Sequence, residues 1–273
     1  LASALKAPLV TTLHGYDASL PPRTMLASGR LSWMRYALLR RRLMAEGALF
    51  LTVSESIRTR AIAAGFPEAR TITHYPGIDL ARFSSGKPEP GLIVHVGRLV
   101  EKKGTAMLLR ALAMLPEAKL AIVGEGPLRR KLERLAGELG IAQRVQFLGA
   151  LPHVETADWV ARAWLLAVPS VTRIDGDSEG LPTVILEAAA MAVPTVGTRH
   201  GGIGEAVEEG ESGFLVPERD PDALARRIGE VLASPDLRRR LGEGALRIAR
   251  QRFDGARQTE RLEAFYDSLI ARR

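Results

Sequence analysis

The stretch GLIVHVGRLVEKKGTAMLLRALAML, residues 91–115, decides the fold. Residues 91–97 form a short apolar, β-branched run that ends in glycine, the signature of a buried strand. A basic turn follows, holding Gly97, Arg98, Lys102, Lys103 and Gly104. An apolar pattern of helical spacing then fills 104–115. The same order recurs downstream. Strand-like runs stand at 118–124, 144–149, 164–170, 193–198 and 213–217, and helical patterns at 127–139, 155–162, 183–191 and 221–233. Strands alternating with helices predict an α/β architecture, a parallel sheet covered on both faces. Right-handed crossovers make it doubly wound, with ligands bound beyond the carboxyl ends of the strands.

Upstream, residues 7–15, 48–54 and 69–77 read as strands, and a long helix fills about 29–46. Three strands are few for a doubly wound unit, and the chain opens with Leu1 rather than Met. The expectation is a partial first half that lacks its front. SSGKPEPG, residues 84–91, has the composition of a linker. The stretch 236–271 reads as helical and charged.

Composition narrows the function classes. The chain has 273 residues, 46% of them hydrophobic, enough for one large or two ordinary cores. There is no cysteine, which excludes disulfides and thiolate metal sites and points to a reducing compartment. No apolar run reaches the roughly 18 residues that a membrane span needs, and the start shows no signal-peptide pattern. Net charge is +7, and its distribution is uneven. Residues 1–90 hold 12 Lys and Arg against 6 Asp and Glu, whereas the remainder holds 26 against 25. That bias fits an anionic partner on one side, or simply a solvated basic face. Within 29–48, Leu31, Met34, Leu38 and Leu39 share one helical stripe, while Arg30, Arg35, Arg40, Arg41 and Arg42 fill much of the rest. A core-packed helix with a solvated face is the favoured reading; an amphipathic membrane-surface helix is the sharper one.

Three loops at strand ends carry residues suited to chemistry. In the first, the free N–H groups of a helix start, with Arg98 and Lys103, suit a diphosphate. The loop is not a GxxxxGK[ST] phosphate loop, and a basic turn without a ligand explains it as well. In the second, IVGEGPLRRKL (122–132), Arg129 stands where a dinucleotide fingerprint needs its third glycine. A tight turn beside a nucleotide base, around Gly124 and Glu125, and a purely structural turn both remain open. In the third, DSEGLPTVILEAAA (177–190), Pro182 suits a helix start, and Gly180 lets the backbone approach a ligand. Glu179 then precedes the helix and Glu187 stands just over one turn inside it. Two carboxylates beside free N–H groups match a ligand with a diphosphate and many hydroxyls. Two acidic residues near a positive helix end are the plainer account. TRHGGIGE (198–205) adds another glycine-rich loop on the same side.

Taken in order, GRLVEKKG, VGEGP, VPS, EGLPTVILEAAAMAVPTVGTRHGGIGEAV and GFLVPERDPDALA resemble the family 4, or group 1, retaining glycosyltransferases. TLHGYD, LTVSE and HYPGIDLARF in the first part extend the resemblance, which covers about residue 8 to the end. DGDSEGLP (175–182) is most similar to enzymes of exopolysaccharide synthesis such as those for colanic acid. The resemblance implies a GT-B fold of two Rossmann-like doubly wound domains, the N-terminal one truncated. Residues 1–86 would be the partial acceptor side, 87–250 the nucleotide-sugar domain, and 251–273 a helix crossing back.

The resemblance also implies roles. Arg98 and Lys103, beside Gly97, would hold the donor diphosphate. Glu179 and the backbone of Gly180 and Leu181, ahead of Pro182, would meet the transferred sugar. Glu187 would take the ribose hydroxyls, and Gly124 and Glu125 would lie near the base. His14 would reach the reacting sugar from the first domain, where a lone histidine otherwise reads as a structural hydrogen bond. The donor would be a nucleotide-diphosphate sugar and the acceptor a saccharide or a polyprenyl-diphosphate-linked saccharide. Neither cofactor nor metal nor nucleic acid enters this reading, and DGD at 175–177 reads as loop rather than metal site. The place would be the cytoplasm, with peripheral contact at the inner face of the membrane through the basic first third. A nucleotide-sugar-binding module without turnover and a GT-B epimerase are the rival readings. A phosphorylase would need a cofactor lysine, and none is assignable.

Overall fold

A computed structural model describes residues 7–173, 176 and 179–271. Asp175 and Asp177 of the DGD run lie outside these residues. Two parallel sheets form the framework. The first holds β1 (Val10–Leu13), β2 (Leu49–Thr52) and β3 (Thr71–Thr73), in that order. Short helices α1 (Tyr16–Ser19) and α2 (Pro22–Ala27) lead into the long α3 (Leu31–Glu46), and α4 (Glu55–Ala63) joins β2 to β3. Leu13, Phe50, Ile57 and Phe66 form its core. Among the described residues β1 pairs only with β2, so its outer edge carries no strand.

The second sheet runs β6 (Val145–Gly149), β5 (Lys119–Val123), β4 (Leu92–Val96), β7 (Leu165–Val168), β8 (Thr195–Thr198) and β9 (Gly213–Val216). Its strands alternate with α5 (Thr105–Ala113), α6 (Arg129–Glu138), α7 (His153–Arg162), α8 (Thr183–Ala190) and α9 (Ile203–Ala206). Side chains of period two divide between two cores. Ile93, Leu120, Ile122 and Leu165 face α5, α6 and α10 (Pro221–Ala233). Leu92, Val94, Ala121 and Leu166 face α7, α8 and α11 (Pro235–Arg252). Both faces are covered, as the near-continuous apolar runs require. The strand order reverses between β4 and β7, and such a switch point opens a crevice at their carboxyl ends. The loops that leave those two ends are 97–104 and 169–182.

The stretch 236–271 is helical, in two pieces: α11 ends at Arg252 and α12 (Gly255–Ala271) begins after a break at Phe253 and Asp254. The break is held because Phe253 is buried against Tyr75 and pairs through its carbonyl with the N–H of Ile78, 2.9 Å away. Gly255 N–H returns a bond to Ile78 O at 2.8 Å, and His74 Nε2 lies 2.9 Å from Gln258 O. The C-terminal helix is thereby tied to the segment that follows β3.

One expectation needs correction: α3 packs one face inward, but the leucine stripe is not that face. Leu31, Leu38 and Leu39 are 80%, 72% and 46% exposed, and Arg40 is 3% exposed. The inward face instead carries Trp33, Tyr36, Arg40, Leu43 and Met44. Arg40 is drawn in by carbonyls that the α1–α2 turn leaves without helical partners. Its guanidinium donates to Leu20 O and Ala18 O, each at 3.2 Å, and sits 5.0 Å over the Phe66 ring. A fork of five donors meets such a set of acceptors better than any apolar side chain.

Candidate active site

The loop after β4 forms one wall of the crevice. Gly104 has φ +66°, and a Cβ there would stand 1.8 Å from Pro169 O, so only glycine fits. Its packing brings the loop against the end of β7, where Val171 N–H donates to Lys102 O at 2.8 Å. Beneath it His95 is fully buried, with Nδ1 2.9 Å from Ala167 O and Nε2 3.0 Å from Thr105 Oγ1. Burial pushes this imidazole down to about 4, so it stays neutral and ties β4, β7 and α5 together. The methylenes of Lys103 pass over Gly97, where a Cβ would approach them to 3.1 Å. Lys102 and Lys103 thus project together toward the loop from β7.

That loop presents Glu179, whose side chain is 11% exposed. Its Oε2 accepts from Lys103 Nζ at 2.9 Å. Its Oε1 lies 3.4 Å from Lys102 Nζ, a longer and looser ion pair. Burial pushes the carboxyl up, but the Lys103 and Lys102 ammonium groups outweigh it and hold it below the ordinary value of 4.5. Glu179 is therefore an anion whose second oxygen is the more loosely held. Leu181 and Pro182 are buried behind it, and Pro182 stands immediately before α8.

The opposite wall comes from the loop after β1. Asp17 accepts from three backbone N–H groups, those of His14, Gly15 and Ala18, at 2.8 to 3.1 Å. This collar fixes the turn that presents His14, which is exposed. His14, Asp17, Trp33, Lys102 and Glu179 line one cleft of about 550 Å³, the size range of small-molecule sites. A cavity of about 640 Å³ at the crossing of residues 77–79 and 254–259 holds neither Glu179 nor the loop lysines. The two walls of the cleft touch. A Cβ on Gly180 would stand 2.5 Å from His14 O and 3.0 Å from Val53 Cγ2. Glycine at 180 thus serves a close approach to His14, where the sequence pointed to close approach of a ligand. The walls are also fastened at Glu205, whose carboxylate accepts from Glu55 N–H at 2.7 Å and Ser56 N–H at 2.9 Å at the start of α4. An acidic group at a helix N-terminus satisfies its unpaired donors.

The remaining expected residues lie around this centre. Arg98 is exposed on the same loop as Lys103. Gly124 has φ +139°, and a Cβ there would meet Gly97 O at 2.1 Å, so the loops after β4 and β5 pack backbone to backbone. Glu125 reinforces this, since its carbonyl accepts from Leu99 N–H at 2.9 Å. Its carboxylate, however, is held by Arg129, the residue in place of the third fingerprint glycine. Glu187 is the fifth residue of α8; its Oε1 lies 3.3 Å from Nε2 of His153 at the start of α7. Glu179 thus faces His14 and the lysines, while Glu187 faces His153. Sequence reasoning named neither His153 nor Trp33 nor Asp17. Trp33 belonged to a helix whose inward face was misjudged. Asp17 stands three residues after His14, the spacing of a side chain that closes a turn.

Comparison with known proteins decides the family. Residues 78–247 match the family described as Glycosyl transferases group 1, and residues 1–82 the one described as Glycosyltransferase Family 4. The chain belongs to the group 1 glycosyltransferases. It is 33% identical over 234 residues to a protein of Salmonella typhimurium that carries the name of a colanic acid biosynthesis glycosyltransferase, WcaL. That match covers 83% of this chain and 55% of the relative, so the chain spans about half the length of the curated relatives it matches. A GDP-mannose-dependent α-(1-6)-phosphatidylinositol monomannoside mannosyltransferase of Mycolicibacterium smegmatis is 36% identical, over 83% of this chain and 61% of its own. Anabaena HepE, solved with UDP-glucose, superposes with a TM-score of 0.83 at 25% identity, over 98% of this chain and 74% of HepE. This group 1 chain has the GT-B fold. Among its described residues no helix is long and apolar enough to cross a membrane.

Proposed function

We propose that this group 1 chain moves a sugar from a nucleotide-diphosphate sugar to a saccharide or polyprenyl-diphosphate-linked acceptor in surface polysaccharide synthesis, keeping the anomeric configuration. The observation that carries the reading is one cleft lined by Lys102, Glu179 and His14, with Lys103 paired to Glu179 at its edge. As the bond from the anomeric carbon to the diphosphate oxygen breaks, its electron pair passes to the diphosphate. Arg98, Lys102 and Lys103 oppose that growing charge in a partly dry cleft, where electrostatic stabilisation is strongest. The acceptor hydroxyl forms the new bond to the anomeric carbon on the face that the diphosphate leaves, and its proton passes to the departing diphosphate oxygen. Glu179 and the backbone at Gly180 and Leu181 meet the sugar, and His14 reaches it from the opposite wall. Glu187, with His153, takes the ribose, and Gly124 and Glu125 border the base. The balance of charge rests on these side chains.

In this reading residues 1–86 form the acceptor side, 87–250 the donor domain and 251–273 the segment that returns to the acceptor side. The ties from Ile78 and His74 to residues 253–258 support that division. The exposed Leu31, Leu38 and Leu39 beside Arg35 and Arg41 support a peripheral contact with an anionic membrane from the cytoplasmic face. A panel of UDP- and GDP-sugars with a polyprenyl-diphosphate-linked saccharide tests the reading. Release of nucleoside diphosphate together with an anomeric proton coupling unchanged from donor to product is expected. No transfer from any donor, or an inverted coupling, rejects it.

A further inference from the structure

Behind Glu179 lies a second polar cluster that takes no part in the cleft itself. His200 has a fully buried side chain. Its Nε2 lies 3.0 Å from the backbone N–H of Glu179 and accepts from it. That bond requires a lone pair on Nε2, so the ring proton sits on Nδ1. Nδ1 in turn lies 2.8 Å from Glu218 Oε1 and donates to it. Glu218 is itself anchored: Oε1 accepts from Thr172 Oγ1 at 2.9 Å and Oε2 from Thr172 N–H at 2.7 Å. Arg219 closes the set by donating to Thr172 O at 2.6 Å, from a backbone at φ +62° that side chains rarely adopt. Strain of this kind persists where its surroundings over-determine it. The next residues repeat the grip. Gly202 N–H donates to Gly180 O at 2.7 Å, and a Cβ on Gly201 would stand 2.3 Å from Glu179 O.

We propose that His200, oriented by Glu218, is the positioning residue that sets where the Glu179 carboxylate meets the donor sugar. The proposal rests on the reading of Glu179 given above. Three features separate this from ordinary loop packing. The acceptor is a side-chain nitrogen with a fixed tautomer, the orienting carboxylate is bonded at both oxygens, and the bonded amide belongs to the residue that carries the cleft's buried anion. The acceptor role of Nε2 requires the Nδ1–H tautomer, which Glu218 selects by accepting from Nδ1. Neither His200 nor Glu218 lines the cleft, so their loss should leave the diphosphate seat at Lys102 and Lys103 in place.

The test compares His200→Ala, His200→Gln and Glu218→Ala with the parent chain, by hydrogen exchange at the Glu179 amide, nucleotide titration and transfer kinetics. In His200→Ala the amide should exchange at least about tenfold faster, and kcat should fall by about tenfold to hundredfold, the cost of a small misplacement of a reacting group. Affinity for the nucleoside diphosphate should stay within about twofold. His200→Gln keeps an acceptor toward the amide and should restore much of both losses. Should His200→Ala fail to fold, Glu218→Ala, which leaves the ring in place but unanchored, should show the same split in milder form. A slow Glu179→Gln variant alongside a His200→Ala variant with parental exchange and kcat overturns the positioning role and leaves the site reading intact. Equal losses of nucleotide affinity and kcat without rescue by glutamine overturn it in favour of plain packing. A Glu179→Gln variant as fast as the parent removes the site reading and this proposal with it.

Discussion

Nζ of Lys103 lies 2.9 Å from Oε2 of Glu179, so a cation suited to a diphosphate and a carboxylate suited to a sugar are partners across the cleft floor. On the proposed reading a diphosphate at Lys102 and Lys103 competes with Glu179 for the same ammonium groups, so that binding of the anion releases the carboxylate toward the sugar. Glu179→Gln should tighten nucleoside diphosphate binding by about fivefold, through loss of roughly 1 kcal/mol of like-charge repulsion. It should at the same time lower kcat of transfer. Calorimetric titration and steady-state kinetics on one preparation read both; weaker nucleotide binding in Glu179→Gln would contradict the competition.

Glu187 should behave in the opposite way. It faces His153 rather than His14, and its proposed ligand is the ribose. Glu187→Ala should weaken nucleotide binding by about tenfold, the loss of one charge-assisted hydrogen bond, with a smaller change in kcat. A variant that loses kcat and keeps nucleotide affinity would assign Glu187 to the sugar instead.

Stability should depend on pH through two carboxylates. Burial and then the Lys103 and Lys102 charges act on Glu179; burial and then bonds from Thr172 and His200 act on Glu218. In both the bonded partners win, and the folded value lies below the ordinary 4.5. Between the folded and unfolded values the unfolded chain binds more protons. Their contribution is therefore complete above the unfolded value and is lost as pH falls through the folded one. Melting temperatures from about pH 7 down to about pH 3 should drop at the acid end, and less steeply in Glu218→Gln. Parallel acid slopes for that variant and the parent chain would show that Glu218 gains nothing from its bonds.

The α3 surface separates membrane contact from structure. Arg35 and Arg41 are exposed beside Leu31 and Leu38, whereas Arg40 is buried on two carbonyls. Replacing Arg35 and Arg41 by glutamine should weaken sedimentation with anionic vesicles at low salt, at about 1 kcal/mol for each basic residue near the surface. Nucleotide affinity should not change. Arg40→Gln should instead lower stability by about 1–3 kcal/mol, since the buried Ala18 and Leu20 carbonyls lose their donor. Vesicle binding that survives the double change, or that is absent at low salt, removes the membrane contact.

The doubly wound sheet was legible because each of its strands is an apolar run that ends in a glycine or a turn. Glu179 and Lys103 were singled out because both stand in loops at strand ends, and the strand order then brings those loops together. What the sequence concealed lies in contacts between distant segments. Arg40 looked solvated, since nothing local says that Ala18 and Leu20 leave carbonyls unpaired twenty residues upstream. Gly180 looked like room for a ligand, since its neighbour His14 is more than 160 residues away. His200 and Glu218 stood in quoted motifs, yet only the fold brings them to the Glu179 amide. A separate last helix was read from the sequence, but the cause of the break before it, packing of Phe253 against Tyr75, is a tertiary contact.

The central claim is that the lysine–glutamate cleft seats a nucleoside diphosphate. Titration of the full chain with UDP and with GDP, followed by calorimetry, tests it most directly. One of the two should bind at a single site below millimolar concentration, and Lys103→Ala should weaken that binding by about tenfold. No binding of either nucleotide at millimolar concentration, or a Lys103→Ala variant that binds as tightly as the parent chain, would contradict the account.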